Sequence, residues 1–83
     1  MSLSVNTLFF ASYRDLLGTG ALKVEVADGS TVADLVASLR ARGAPFDALP
    51  MHPAVAVNRV YAFCDEVLGA GDEVAFIPPV AGG

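Results

Sequence analysis

Few side chains in this sequence are of the types that usually carry out chemistry. The chain has 83 residues, with a single histidine, His52, and a single cysteine, Cys64. A zinc site needs several such ligands, and a catalytic thiol needs a base beside it, which the sequence does not provide. We therefore expect no metal site. We interpret His52 as an ordinary loop residue and Cys64 as a small, half-buried residue at a strand end.

Four acids, Asp65, Glu66, Asp72 and Glu73, cluster around the last predicted turn. Paired carboxylates can act in acid–base catalysis or bind Ca²⁺, but the regular spacing of a calcium loop is missing. A solvated turn and a docking patch for a basic partner both remain open for this cluster.

The stretch GAGD at 69–72 lacks the lysine and the following helix of a phosphate loop, which excludes a nucleotide site of that kind.

The remaining reactive group is the carboxylate after the closing residues IPPVAGG. Pro78 and Pro79 fix φ and favour an extended course, and at about 3.3 Å per residue the segment 78–83 can reach roughly 20 Å. Because Gly82 and Gly83 have no side chains, this tip could pass through a narrow channel in another protein. The alternative is a frayed, inert end, which is common for glycine-rich termini.

A terminal carboxylate can do chemistry only after activation, because it is a poor electrophile at neutral pH. As an acyl-adenylate, its carbon is open to attack by sulfur, which gives a thiocarboxylate. That anion is a soft nucleophile that can deliver sulfur to a carbon substrate. The folded part of the chain would then be a handle, and the tail would be a covalent sulfur carrier.

Length and composition limit the other functions. Eighty-three residues form one domain, whose core is too small for a deep substrate pocket. The net charge of −4 provides neither a basic footprint for nucleic acid nor attraction to an anionic membrane surface. The sequence shows no spanning segment and no signal-type start, and its lone cysteine fits a reducing compartment. We therefore expect a cytoplasmic protein that binds neither nucleic acid nor membranes.

Five strands and one helix are expected to position the tail. Apolar residues predict strands at 3–10, 22–26, 54–58, 60–64 and 73–77. An apolar stripe of helical period after Thr31, a good N-cap, predicts the one convincing helix at 32–42. The segment 11–18 is expected to form only a single turn, and 44–53 is expected to be a connecting loop.

The order of these elements predicts how they pack. The first two strands should pair antiparallel, and the first and last strands, both strongly apolar, should be central neighbours. Strands grouped around one helix predict an α+β fold, which we identify as a ubiquitin-like β-grasp with a mixed five-stranded sheet packed on one main helix. Residues 1–77 would form this domain, and 78–83 would be its extended tail ending in Gly-Gly.

The motifs of the chain resemble the small-subunit family of molybdopterin synthase. The likeness spans nearly the whole chain and includes LFFAxxR from Leu8 to Arg14, AVN at 56–58 and the ending GDEVAFIPPVAGG. It implies a non-catalytic sulfur carrier of molybdenum cofactor biosynthesis that binds no cofactor itself. An E1-like adenylating enzyme with ATP and a sulfur donor would convert its terminal glycine to a thiocarboxylate. The tail would then enter the large subunit, whose side chains act on the cyclic pyranopterin precursor.

The resemblance also assigns roles to single residues. It implies that Gly83 bears the reactive carbonyl and that the rest of the tail provides clearance and insertion. These tail residues are Pro78, Pro79, Val80, Ala81 and Gly82. Phe10 should lie in an apolar contact with the large subunit, together with Ile77, which stands where relatives carry a second Phe. An exposed apolar patch is therefore expected around these two residues. Arg14 is either a surface charge or a docking residue.

Three other functions are compatible with the same ending, because Gly-Gly alone is not specific: ubiquitin and the thiamine-pathway sulfur carrier also end in it. A thiamine thiazole sulfur carrier would share both the fold and the chemistry. A ubiquitin-like protein modifier would instead join its terminal glycine to lysines of target proteins, and an interaction module would not be activated at all.

Overall fold

The computed structural model describes residues 1–79. Its strands are β1 (Ser2–Phe9), β2 (Ala21–Ala27), β3 (Ala54–Val57), β4 (Val60–Ala62) and β5 (Glu73–Ile77). Its helices are α1 (Ala11–Leu17), α2 (Val32–Arg40) and a short 3₁₀ helix (Phe46–Ala48). The strands follow the predicted order, and each predicted strand has its counterpart.

The five strands form one mixed sheet in the order β2-β1-β5-β3-β4. β1 pairs antiparallel with β2 and parallel with β5, while β3 pairs antiparallel with both β5 and β4. The two strongly apolar strands are therefore central neighbours, as predicted. A strand in the middle of a sheet is covered on both edges, and β5 pairs with β1 as far as Phe76 and with β3 as far as Ile77.

The core lies between α2 and one face of the sheet. The buried side of α2 consists of Val32, Leu35, Val36 and Leu39. Phe9 and Phe76 are register partners in the parallel β1–β5 pair, and their ring centroids lie 5.3 Å apart. Both side chains are almost fully buried, and burial of a large apolar side chain contributes about 1.5–3 kcal/mol. The aromatic pair therefore fixes the last residues of β5 to the centre of the sheet.

The predicted N-cap of α2 is confirmed. The Thr31 hydroxyl accepts the backbone N–H of Asp34 at 3.3 Å, and the Asp34 carboxylate accepts that of Thr31 at 3.0 Å. This reciprocal pair is a capping box. The helix ends at Arg40, two residues before the predicted end, because the N–H of Arg42 donates to the Leu39 carbonyl and tightens the last turn.

The segment predicted as a single turn, 11–18, is instead the seven-residue helix α1. Tyr13 and Leu17, four residues apart, are both buried, so packing on the core stabilises a helix that is too short to form alone. The N–H of Gly18, which has φ of 74°, donates to the Arg14 carbonyl and ends the helix. The prediction was wrong because it judged this segment by its length.

The predicted first strand, 3–10, was one residue too long at its end. β1 stops at Phe9, and Phe10 is the N-cap of α1, in an extended conformation with φ of −111° and ψ of 155°. The next residue, Ala11, has φ of 46°, which turns the chain sharply from strand to helix. Phe10 is therefore a junction residue, with a side chain that makes no capping hydrogen bond.

The connecting loop 44–53 contains the 3₁₀ helix, which the sequence analysis missed. The ring of Phe46 packs against the core and lies 6.5 Å from that of Phe9. On its other side, the guanidinium of Arg42 stands 5.7 Å from the centroid of the Phe46 ring. Leu49 is buried as well. Packing of Phe46 and Leu49 thus orders this loop. The three prolines in its sequence gave no indication of that order.

β4 ends at Ala62 rather than at residue 64, and Cys64 is exposed instead of half-buried. The chain leaves the sheet here to reach the N-terminus of α2. The backbone N–H of Val32 donates to the Glu66 carbonyl at 3.0 Å, and that of Ala33 donates to the Cys64 carbonyl at 2.9 Å. Two N–H groups of the first helical turn, which lack partners within the helix, are satisfied in this way.

Candidate functional site

The tail begins at the end of the central strand. β5 ends at Ile77, as predicted from the missing N–H of Pro78. The parallel register pairs Phe9 with Phe76, so Phe10 and Ile77 are the next residues at the same end of the sheet. The root of the tail therefore lies beside the strand-to-helix junction, and both predicted contact residues are brought to one place.

The sheet face opposite α2 carries a row of apolar residues near this root. One register row crosses all five strands through Ala21, Leu8, Ala75, Ala56 and Tyr61. The next row pairs Ile77 with Ala54. We call this surface, together with the adjoining Phe10, the sheet patch. Ala75 and Ala56, in its centre, are small, and Leu8 and Tyr61 on either side of them are large.

Exposure within the sheet patch differs between its members. Phe10 is 48% exposed and Tyr61 is 75% exposed, whereas Ile77 is half-buried. The expected apolar patch is present, but the larger exposed area comes from Phe10 and Tyr61. Tyr61 was missed from the sequence, although the alternation in VYAFC already places it on the face opposite Val60 and Ala62.

Arg14 lies on α1 with an exposed side chain. The stem of this side chain passes over Gly20, where an added Cβ would stand 3.3 Å from the Arg14 Cδ atom. The glycine therefore leaves room for the aliphatic part of the arginine. This contact accounts for the packing of the stem, and a docking role for the guanidinium stays a prediction.

The predicted reactive end lies outside the described residues. This applies to Val80, Ala81, Gly82 and Gly83, whose roles stay predictions. Pro78 is half-buried and Pro79 is exposed. The structure thus positions the base of the tail.

Other candidate side chains do not form a centre. His52 is an exposed residue of the loop before β3, and Cys64 is exposed. Within residues 1–79, no group of three His, Cys, Asp or Glu side chains could hold a metal ion. No helix in the same part of the chain is long and apolar enough to cross a membrane.

Of the acids around the last turn, Asp72 has a structural role. Its carboxylate accepts the backbone N–H of Gly69 at 2.7 Å and the side-chain amide of Asn58 at 3.0 Å. Asp65 and Glu66 are exposed to solvent. This turn is therefore solvated and closed by one of its acids, and a docking role for Asp65 and Glu66 stays a prediction.

A mixed five-stranded sheet packed on α2 defines a ubiquitin-like β-grasp protein. The model of the ThiS family matches residues 7–83, and the chain belongs to this family. The match covers the whole fold apart from the first residues of β1, and it includes the closing Gly-Gly.

Three known proteins are similar over nearly their whole length. The chain is 40% identical over 82 residues to a molybdopterin synthase sulfur carrier subunit of Mycobacterium tuberculosis, covering 98% of this chain and 99% of that protein. A solved structure from Pyrococcus furiosus, assigned to molybdopterin converting factor subunit 1, superposes with a TM-score of 0.82 at 30% identity, covering 94% and 99%. The small archaeal modifier protein 1 of Haloferax volcanii has a TM-score of 0.73 at 29% identity, covering 94% and 99%.

Proposed function

We propose that this chain is the sulfur carrier of molybdopterin synthase in molybdenum cofactor biosynthesis. The observation that carries the proposal is the 40% identity to a sulfur carrier subunit over 98% of the chain. The match to the family model also reaches residue 83. Every part of the fold described above is then a means of holding and presenting that tail. We assign the catalytic side chains to the partner.

The chemistry takes place at the carboxylate of Gly83. An E1-like enzyme joins this carboxylate to the AMP part of ATP and releases pyrophosphate. A sulfur donor at the sulfide level then displaces AMP to give the thiocarboxylate. The thiocarboxylate sulfur attacks the cyclic pyranopterin precursor, and water then cleaves the acyl–sulfur bond, which leaves the sulfur on the precursor and restores the carboxylate of Gly83. The chain itself needs no bound cofactor, because ATP is used on the activating enzyme. Gly82 and Gly83 offer no side chain that would obstruct a narrow channel in the partner.

The fold contributes anchorage and direction. Val74 and Phe76 are fully buried, so their packing anchors β5 in the core when a partner binds the tail. Pro78 and Pro79 then limit the conformations of the free tail, which lowers the entropy lost when the tail is ordered in a partner. The sheet patch lies beside this root, and we assign it as the surface on which the large subunit docks.

Deletion of Gly83 tests the proposal. Reconstituted synthase with the shortened chain should make no molybdopterin, because the reactive carbonyl no longer reaches the bound precursor. A matched control is Val67→Ala, an exposed residue remote from the tail, which should leave synthesis unchanged. Full synthesis by the shortened chain would overturn the proposal.

A protein modifier is the second candidate, favoured by the likeness to the small archaeal modifier protein 1. Incubation with the activating enzyme and target proteins would then give lysine conjugates. Lys23 is the only lysine of the chain. A Lys23→Arg variant therefore cannot be joined through a lysine side chain to another copy of itself, but it can still form conjugates with other proteins.

A thiamine thiazole sulfur carrier is distinguished by offering each pathway's activating enzyme and detecting the acyl-adenylate.

A further inference from the structure

A groove runs along the flank of α2, on the face of the sheet opposite the sheet patch. It consists of two adjoining pockets, of about 440 Å³ and 190 Å³. Ala33, Val36, Met51 and His52 line both pockets, so the two are continuous. Of the described residues at the end of the chain, 77–79, none lines either pocket. We call this surface the α2 groove, and it is separate from the surface assigned to the large subunit.

The lining of the α2 groove is mostly apolar. The apolar residues that matter most here are Val36 and Ala37 of α2, Met51 of the loop before β3, and Phe63 after β4. Met51 is 66% exposed and Phe63 is 84% exposed, so both offer apolar area that a partner can bury. The unbranched side chain of Met51 can also adapt its shape to what it contacts. Such strongly exposed apolar residues suit a segment of another protein better than an enclosed small molecule.

The charge of the α2 groove is one-sided. The chain has a net charge of −4, yet none of its nine Asp and Glu residues, all within 1–79, lines the groove. Arg40 lines one end, where a nitrogen of its guanidinium donates to the Leu49 carbonyl and holds the group in place. Because an arginine has five N–H donors, others remain to bind a carboxylate. At the other end Cys64 lines the groove and the acid Asp65 follows it in the chain.

We propose that the α2 groove binds an apolar segment of another protein that carries a carboxylate at the end that meets Arg40. Apolar side chains of this segment cover Val36, Ala37 and Met51, and its acidic end pairs with the guanidinium. The inference goes beyond the proposed function, because no step at Gly83 uses α2. A segment bound here leaves the tail and the sheet patch accessible.

Titration of the isotope-labelled full-length chain with synthetic peptides tests the inference by NMR. The probe is a short helical peptide of leucine, alanine and glutamine with glutamates at one end, and the control peptide has lysines in their place. The amide signals of Ala33, Ala37 and Met51 should shift, while that of Phe10 should not. The glutamate peptide should bind at least about fivefold more tightly than the lysine peptide. In Arg40→Gln this difference should disappear.

Two neighbouring positions of α2 provide a matched pair of variants. Ala37→Glu places a charge in the groove, where the peptide would desolvate it, so the dissociation constant of the glutamate peptide should rise roughly tenfold or more. Ser38→Glu makes the same change of charge at the next residue, which is exposed and does not line the groove, and its effect should stay below about twofold. Both variants keep a good helix former, so circular dichroism should show the same fold.

Equal binding of the two peptides to the unsubstituted chain would overturn the inference, as would equal effects of Ala37→Glu and Ser38→Glu. Shifts centred on Phe10 and Tyr61 would also contradict it, because the peptide would then occupy the sheet patch. The free chain alone is the remaining control. If its α2 signals shift on dilution and Ala37→Glu abolishes that change, a second copy occupies the groove and the inference falls.

Discussion

The side-chain amide of Asn58 donates a hydrogen bond to the carboxylate of Asp72 at 3.0 Å. This bond joins the β3–β4 turn to the residue that precedes β5. The carbonyl oxygen of the same side chain accepts the backbone N–H of Glu73, also at 3.0 Å. The AVN motif and the GDEV motif, separate in sequence, are thus two halves of one connection that fixes the start of the tail-bearing strand.

Asn58→Ala should lower the free energy of unfolding by about 2–3 kcal/mol. The substitution removes two side-chain hydrogen bonds and replaces a residue that tolerates its φ of 51°. Asn6→Ala, on the exposed side of β1, is the control and should change stability by less than about 0.5 kcal/mol. Urea unfolding measures the free energy of unfolding of both variants. A similar decrease for Asn58→Ala and Asn6→Ala would contradict this role of Asn58.

Arg59→Gly should stabilise the fold by about 0.5–1 kcal/mol. Arg59 has φ of 71° and follows Asn58 in a two-residue turn with both residues in the left-handed region, where glycine is favoured at the second position. Arg59→Ala keeps the strained conformation and should give no gain, which separates backbone strain from loss of the charge. A lower unfolding midpoint for Arg59→Gly than for Arg59→Ala would contradict this explanation.

The strands and α2 could be predicted because local signals and packing agree there. Thr31 and Asp34 occupy the capping-box positions, and the apolar stripe that follows matches the buried face of α2. Alternation likewise identified each strand. In α1 and in the loop 44–53, by contrast, the helices depend on burial of Tyr13 and on packing of the half-buried Phe46 against the core. Tertiary packing of this kind is only weakly visible in the sequence of a short segment.

The site was predictable only in part. The end of β5 at Ile77 follows from the physics of proline, and the exposure of Phe10 agrees with the expected patch. Tyr61 was missed because membership of the patch depends on the order of strands, which brings β4 to the edge beside β3. The sulfur cargo cannot be deduced from side-chain physics, since any extended Gly-Gly tail has the same reach.

Phe10→Asp should weaken binding of the large subunit at least tenfold without destabilising the fold. The substitution puts a charge on the sheet patch, but Asp is also a favourable N-cap residue, and Phe10 is the N-cap of α1. Val67→Asp is the control, because Val67 is 59% exposed and bridges to Thr31. Thr31 follows the end of β2 that pairs with the start of β1, away from the end of the sheet that carries the tail. Calorimetric titration measures the affinity for the large subunit, and thermal unfolding measures the stability of the fold. Unchanged affinity for Phe10→Asp would refute the docking surface.

Replacing Pro78 and Pro79 together by glycine should raise the KM of the synthase for the thiocarboxylated carrier by roughly 5–30-fold. Two glycines widen the ensemble of the free tail, so more entropy is lost on insertion, by about 1–2 kcal/mol in total. The stability of the folded domain should not change, because β5 ends before these residues. An unaltered KM would show that the prolines do not prepare the tail for insertion.

Intact mass spectrometry of the full chain tests the central claim most directly. The chain is incubated with the activating enzyme, ATP and a sulfur donor, and the C-terminal fragment is then sequenced by fragmentation. We expect the mass to rise by the difference between one sulfur and one oxygen atom, at Gly83 and only when ATP is present. An unchanged mass, or a chain joined through Gly83 to lysines with no thiocarboxylate formed, would contradict the sulfur-carrier function.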